Sequence, residues 1–258
     1  MGTVQVGDVD VAYTVQGAGD PVVLVHGTTS STEASWAQVM PVLAERFTVI
    51  GPELPGSGAS SFSGKQLELD DIVDQTLAAA SDAGAERFHL AGWSLGAVVA
   101  AAVAAKAPAR VRSLALICGW VRTDARFRFT LDLWRRLIET DTELFGRYAF
   151  ADGLTAGTFD AVGVEGVEGL LGTLELAPGS LAQIELDQRI DIADRLGSIT
   201  APTLVIGGVE DRWTSIEQSR ALAAGIAGAR LVELACGHLI PLEQAAALTD
   251  LLIGHFST

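Results

Sequence analysis

Arg87-Phe88-His89-Leu90-Ala91 runs into Gly92-Trp93-Ser94-Leu95-Gly96, and an alanine-rich helical run from Ala97 to Lys106 follows at once. A serine in G-x-S-x-G between a strand and a helix sits on a sharp turn, its hydroxyl exposed and the next backbone N–H at a helix N-terminus. The flanking glycines matter because strand and helix approach so closely that a β-carbon would clash, and because the nucleophile itself occupies strained backbone. Ser94 therefore reads as an activated nucleophile. The strand and helix on its two sides make the pentapeptide more informative than its five residues alone.

Outward from this elbow the same pattern recurs. Val22 to Val25, Phe47 to Ile50, Phe88 to Ala91, Ser113 to Ile117, Thr203 to Ile206 and Leu231 to Leu234 are short apolar runs, as expected of parallel strands covered on both faces. Helical segments are predicted over Trp36 to Glu45, Glu68 to Ala83, Leu95 to Ala105, Ile216 to Ala224 and Glu243 to Ile253. Strand and helix in alternation give an α/β fold, a mostly parallel sheet wrapped by helices, with ligands bound beyond the carboxyl ends of the strands. Val4 to Val6 and Asp10 to Val15 alternate instead and predict an antiparallel hairpin at the start.

One stretch, from about Arg122 to Asp187, has no strand-like run but helix-like pieces such as Leu131 to Thr140 and Val164 to Leu176. The expected organisation is a core of residues 1–121 and 188–258 with a helical cap inserted over 122–187. The cap holds Phe127, Phe129, Trp134, Phe145, Tyr148, Phe150 and Phe159 in a chain that is only 6% aromatic. Most are expected to form the cap's own core, while Phe127, Trp134 and Phe150, with Trp93, are candidates to line an apolar substrate pocket. Arg122, Arg126, Arg128, Arg135, Arg136 and Arg147 also cluster there. The favoured reading is an outer face paired with Asp124, Asp132, Glu139 and Asp141. The sharper alternative is a site for an anionic substrate part, such as a coenzyme A thioester or a carrier-protein arm.

A chain of 258 residues with 49% hydrophobic and 19% charged residues has globular composition. Its net charge of −15 opposes nucleic acid and anionic membrane surfaces as partners. No apolar run is long enough to span a bilayer, and the first residues lack a signal-peptide pattern, so a cytoplasmic protein acting on a small molecule is expected. Oligomeric state stays open, a homodimer included. Cys118 and Cys236 are too few for a disulfide framework and lack metal-ligand spacing, so both read as buried thiols.

A serine hydroxyl needs a base, and the chain has four histidines. His89 lies inside the strand that feeds the elbow, His26 closes another strand and is expected to brace its loop, and His255 in the C-terminal tail is expected to be solvated. His238 remains, in the loop after the last strand. The acid that fixes its tautomer reads best as Asp211, after the strand Leu204 to Ile206, with adjacent Glu210 and Asp124 as alternatives. Ser94, Asp211, His238 is the chain order such an architecture uses. Oxyanion donors are expected from the backbone N–H of Leu95 and from the loop after His26-Gly27, most simply at Thr28.

Together, Leu24-Val25-His26-Gly27, Pro52-Glu53-Leu54-Pro55-Gly56-Ser57-Gly58-Ala59-Ser60, Gly92 to Gly96, the Asp211 loop, and Gly237-His238 with Pro241 and Glu243 resemble the α/β-hydrolase fold family across almost the whole chain. The resemblance implies Ser94 as nucleophile, His238 as base, Asp211 as its partner, and Thr28 and Leu95 as oxyanion donors. It implies hydrolysis of an ester, lactone or thioester with no metal or organic cofactor, or else carbon–carbon cleavage or acyl transfer by the same residues, with a low-turnover binding protein as a remoter possibility. Serine at the elbow argues against the epoxide hydrolase and haloalkane dehalogenase branches. Glu53 departs from the family's usual aspartate at a position that is structural in most members.

Overall fold

Alternating and wholly apolar runs take different places in the sheet. A computed structural model describes residues 1–172 and 174–257. β1 (Gly2–Val6) and β2 (Val9–Gln16) pair antiparallel at one edge, as the hairpin pattern predicts. β3 (Asp20–Val25), β4 (Phe47–Pro52), β5 (Phe88–Trp93), β6 (Val111–Ile117), β7 (Thr203–Gly208) and β8 (Arg230–Leu234) pair parallel, in the order β1-β2-β4-β3-β5-β6-β7-β8. Side chains of a strand point alternately to its two faces, so each central strand feeds two cores. Val23, Val25, Leu90, Leu114 and Leu116 pack on one side with α3 (Leu69–Asp82) and α4 (Leu95–Lys106). Val22, Leu24, Ala91, Ala115 and Ile117 pack on the other with α1 (Thr32–Trp36), α2 (Met40–Leu43) and α11 (Ala245–Phe256). α9 (Ile216–Gly225) follows β7.

Three predicted helices differ in extent. Trp36 to Glu45 is broken into α1 and α2, because Pro41 in the first turn of α2 has no N–H with which to continue α1. Glu243 to Ile253 begins earlier, as α10 (Ile240–Glu243) with Pro241 in its first turn, and breaks at Gln244 before α11. Val164 to Leu176 belongs to α7 (Ala156–Leu171), which kinks at Gly163 (φ 74°), and the predicted segment crosses Thr173, which lies outside the described residues.

Between β6 and β7 lie α5 (Ala125–Thr140), α6 (Thr142–Gly153), α7 and α8 (Ser180–Asp187). Asp124, Asp141 and Thr155 cap the first three, accepting backbone N–H groups that have no partner inside the helix. Phe127, Trp134 and Phe145 are buried, Tyr148, Phe150 and Phe159 half-buried, and Phe129 points outward at 77% exposure. The cap arginines are largely paired, Arg135 and Arg136 with Asp132, Arg135 also with Glu139, Arg147 with Glu143 and Glu168, and Arg122 with Asp191. Arg126 and Arg128 make no ion pair among the described residues. No helix among them is long and apolar enough to cross a membrane.

Candidate active site

β5 delivers Ser94 to the carboxyl edge of the sheet in backbone that an L-residue rarely adopts (φ 58°, ψ −123°). The turn is this tight because two glycines permit it. A β-carbon on Gly92 would overlap the Gly96 carbonyl, and one on Gly96 would overlap the Val25 and His26 carbonyls.

His238 arrives from the loop after β8. Its Nε2 lies 3.0 Å from Ser94 Oγ and its Nδ1 2.7 Å from Asp211 Oδ2. Both bonds are satisfied at once when Nδ1–H donates to Asp211 and Nε2 accepts from the serine hydroxyl. Asp211 stands in the loop after β7, where Oδ1 accepts the backbone N–H groups of Trp213 (2.8 Å) and Thr214 (3.0 Å) and Oδ2 lies 2.9 Å from Thr214 Oγ1. The imidazole and the carboxylate are each 1% exposed. The alternative acids lie elsewhere: Asp124 caps α5, and Glu210 is exposed.

The oxyanion-side loop follows His26 and Gly27. A β-carbon on Gly27 would stand 3.1 Å from Ser94 Cβ, so this loop passes directly beside Ser94. Leu95 opens α4, where its N–H is among those a helix leaves unpaired. Thr28 thus follows the residue that meets Ser94, and Leu95 follows Ser94 itself. His26 braces the neighbouring turn, its Nε2 accepting the Leu54 N–H at 3.0 Å and its Nδ1 lying 2.8 Å from the Gly27 carbonyl. Buried Glu53 accepts the Thr32 N–H beside it.

Aromatic rings cover the histidine. Trp93 donates Nε1–H to the His238 carbonyl (3.0 Å), and its ring centroid is 5.5 Å from the imidazole. Trp213 lies 4.6 Å from the imidazole and 4.6 Å from Trp134, which meets Phe145 at 5.7 Å. Phe127 packs on Trp120 instead, at 5.2 Å, and Phe150 is half-buried on α6. Of the pocket candidates, Trp93 touches the imidazole and Trp134 stands one ring away. Trp213 was not singled out in the sequence, although its place two residues after Asp211 was a usable signal.

Cys118, Asp211 and His238 offer ligand atoms within 4.8 Å of one another. Asp211 and His238 already engage each other, and burial, with the Asp211 charge beside it, holds the Cys118 thiol well above its usual range. Both cysteines are buried and free. Two histidines play no part here. His89 stacks on Phe256 (5.1 Å), bonds Ser113 Oγ through Nδ1 (2.8 Å), and is pushed down to about 4 by burial. His255 is half-buried with Nε2 3.0 Å from the Leu114 carbonyl, not solvated as expected, because α11 folds back over β6.

Residues 20–159 match the alpha/beta hydrolase fold family. The chain is 37% identical over 248 residues to pyrrolizixenacetamide deacetylase of Xenorhabdus hominickii, covering 95% of this chain and 93% of that protein. It is 31% identical over 254 residues to 2-hydroxymuconate semialdehyde hydrolase of Pseudomonas sp. (strain CF600), covering 93% and 87%. In fold it is similar to the enol-lactonase from Burkholderia xenovorans LB400, with a TM-score of 0.90 at 21% identity and full coverage of both chains.

Proposed function

The chain belongs to the α/β-hydrolase-fold family and is an enzyme of that family, and we propose that it is a serine hydrolase cleaving an ester-type acyl bond of a mainly apolar small molecule through Ser94, His238 and Asp211. The observation that carries this reading is the unbroken relay from Ser94 Oγ through both imidazole nitrogens to Asp211, sealed from water on the carboxylate side. His238 takes the serine proton as Oγ attacks the acyl carbon. Asp211 holds the imidazole in the tautomer that leaves Nε2 free, then faces the imidazolium that forms. The negative charge on the former carbonyl oxygen meets the Leu95 and Thr28 N–H groups. His238 returns the proton to the leaving group, and a water activated by the same nitrogen releases the acid from the acyl-enzyme.

The relative's name extends the reading to acetamides, since an amine leaving group needs the same proton delivery from His238. The semialdehyde hydrolase keeps carbon–carbon hydrolysis as the second reading, with a carbon leaving group at the same site. Fluorophosphonate labelling, followed by intact mass and compared with Ser94→Ala, tests the nucleophile. Labelling lost in Ser94→Ala, with turnover of p-nitrophenyl acetate or an N-aryl acetamide, supports the first reading. Labelling without turnover of either moves the assignment to carbon–carbon substrates. An unlabelled wild-type protein overturns the serine mechanism.

A further inference from the structure

Two side chains one turn apart on cap helix α8 grip the loop beside the nucleophile. Buried Gln183 accepts the Thr29 N–H on Oε1 (2.9 Å) and donates from Nε2 to the Pro55 carbonyl (3.1 Å) and Ser57 Oγ (3.0 Å). That holds Thr29 in a left-handed conformation (φ 57°). Asp187 is 1% exposed, with Oδ2 2.6 Å from Thr28 Oγ1, while Oδ1 has no partner among the described residues. The helix end is pinned from behind, as Thr123 Oγ1 donates to the Asp187 carbonyl and Trp120 Nε1 donates to Thr123 Oγ1 at 2.9 Å. No step of the proposed hydrolysis uses this carboxyl, and a buried oxygen without a partner is costly enough to require a reason.

We propose that Asp187 is a positioning residue for the acyl-transfer step, anchoring Thr28 through its hydroxyl so that the backbone N–H of Thr28 is held, with that of Leu95, towards the developing oxyanion. The inference rests on the hydrolase reading above and deepens it.

A hydroxyl has one hydrogen, and Thr28 donates its own to Asp187 Oδ2, so the hydroxyl anchors the residue and the backbone N–H is what Thr28 can turn towards a substrate. No cation pairs with Asp187 among the described residues, and burial pushes its carboxyl well above the usual carboxylate range, offset only in part by the Thr28 bond. The anchored residue lies one position from the point where the loop touches Ser94, so loosening Thr28 would displace the loop at the reacting centre.

The test is the second-order rate at which a fluorophosphonate modifies Ser94, which needs no knowledge of the substrate, with p-nitrophenyl acetate acylation in parallel. Thr28→Val keeps the backbone N–H and removes the anchoring hydroxyl, and should slow labelling about tenfold to a hundredfold, since a misplacement of about 1 Å at a reacting centre can cost about a hundredfold. Asp187→Leu should slow it by a similar factor with KM nearly unchanged, and the double variant should be no slower than either alone. Asp187→Asn, whose amide oxygen can still accept from Thr28, and Thr28→Ser should stay within about threefold of wild type. Labelling of Thr28→Val at the wild-type rate, or losses that multiply in the double variant, would overturn the inference while leaving the nucleophile intact. Should Asp187→Leu not fold, Thr28→Val and Asp187→Asn decide it. Failure of the wild-type protein to label overturns the hydrolase reading, and the inference with it.

Discussion

The sheet edge and the cap reach the same site by opposite means. At the edge, backbone does the positioning: Ser94 sits at a forbidden-looking φ of 58°, glycines allow carbonyls to crowd it, and Asp211 is held by two backbone N–H groups. In the cap, side chains do it, often across long stretches of sequence. Glu243 Oε2 ties down Thr155 and Thr158 at the start of α7, and Gln183 and Asp187 hold the loop after Gly27. The lesson is that chemistry is built on the rigid element, while the cap adjusts it through single replaceable contacts.

The sharpest break in that comparison is at the edge itself. Ser94→Ala and His238→Ala should each lower kcat by about 10⁴- to 10⁶-fold, and Asp211→Asn by about 10⁴-fold, measured on whichever acyl substrate turns over. Melting temperature should stay near wild type for Ser94→Ala, since a small side chain is removed from a pre-formed turn. A loss below tenfold in any of the three would mean that the relay is architecture without chemistry.

Gly96→Ala attacks the frame rather than the reagents. Its methyl would overlap two backbone carbonyls that cannot move independently of β3, so a destabilisation of about 3 kcal/mol is expected. For a chain of this size that lowers Tm by about 6–12 °C. A thermal melt within 2 °C of wild type would show that the elbow is less tightly constrained than its contacts imply.

This contrast also explains what could be read from the sequence. The strands and the elbow were legible because a strand that ends in glycine or a turn is a local signal, and Ser94, Asp211 and His238 each follow one. The contacts between cap and loop were not legible. Thr28 meets Asp187 across 159 positions, and Thr155 meets Glu243 across 88, with no local spacing to record either. Helix limits near Pro41 and Pro241 differ from the periodicity because apolar spacing continues through a residue that cannot donate. His255 looked terminal and free, but only the packing of α11 on β6 reveals its bond to Leu114.

Glu243→Gln probes one cap contact of intermediate weight. The carboxylate accepts from Gly237 N, Thr155 N, Thr155 Oγ1 and Thr158 Oγ1, and an amide would turn a donor towards one pair of them. A loss of about 2 kcal/mol and a several-fold fall in kcat are expected, because Gly237 carries His238. Unchanged kcat with a lowered Tm would separate cap anchoring from catalysis.

His89 sets a buried charge penalty in the core beneath the elbow. Desolvation holds its folded value at about 4, reinforced by Arg112 and His255 and opposed by Asp20, against 6.5 when unconstrained. Below about 6.5 the unfolded chain binds a proton that the folded one refuses, so this residue's contribution falls as pH drops towards 4 and is flat above. The stability difference between wild type and His89→Gln, followed by denaturant titration from pH 7 to 4, should shift against wild type across that window. A constant difference would place the imidazole in contact with water.

The smallest effect belongs to the outer face of the cap. Arg135 bridges Asp132 and Glu139, and Arg147 bridges Glu143 and Glu168, yet all six side chains are substantially exposed. Exposed pairs exchange one well-solvated state for another and lose side-chain freedom in the process, so good geometry does not translate into stability. Arg135→Ala and Arg147→Ala should leave Tm unchanged within measurement at physiological salt. A clear loss that disappears at high salt would show the paired face acting as a network, and would move stabilisation of the cap from its buried aromatic residues to its surface.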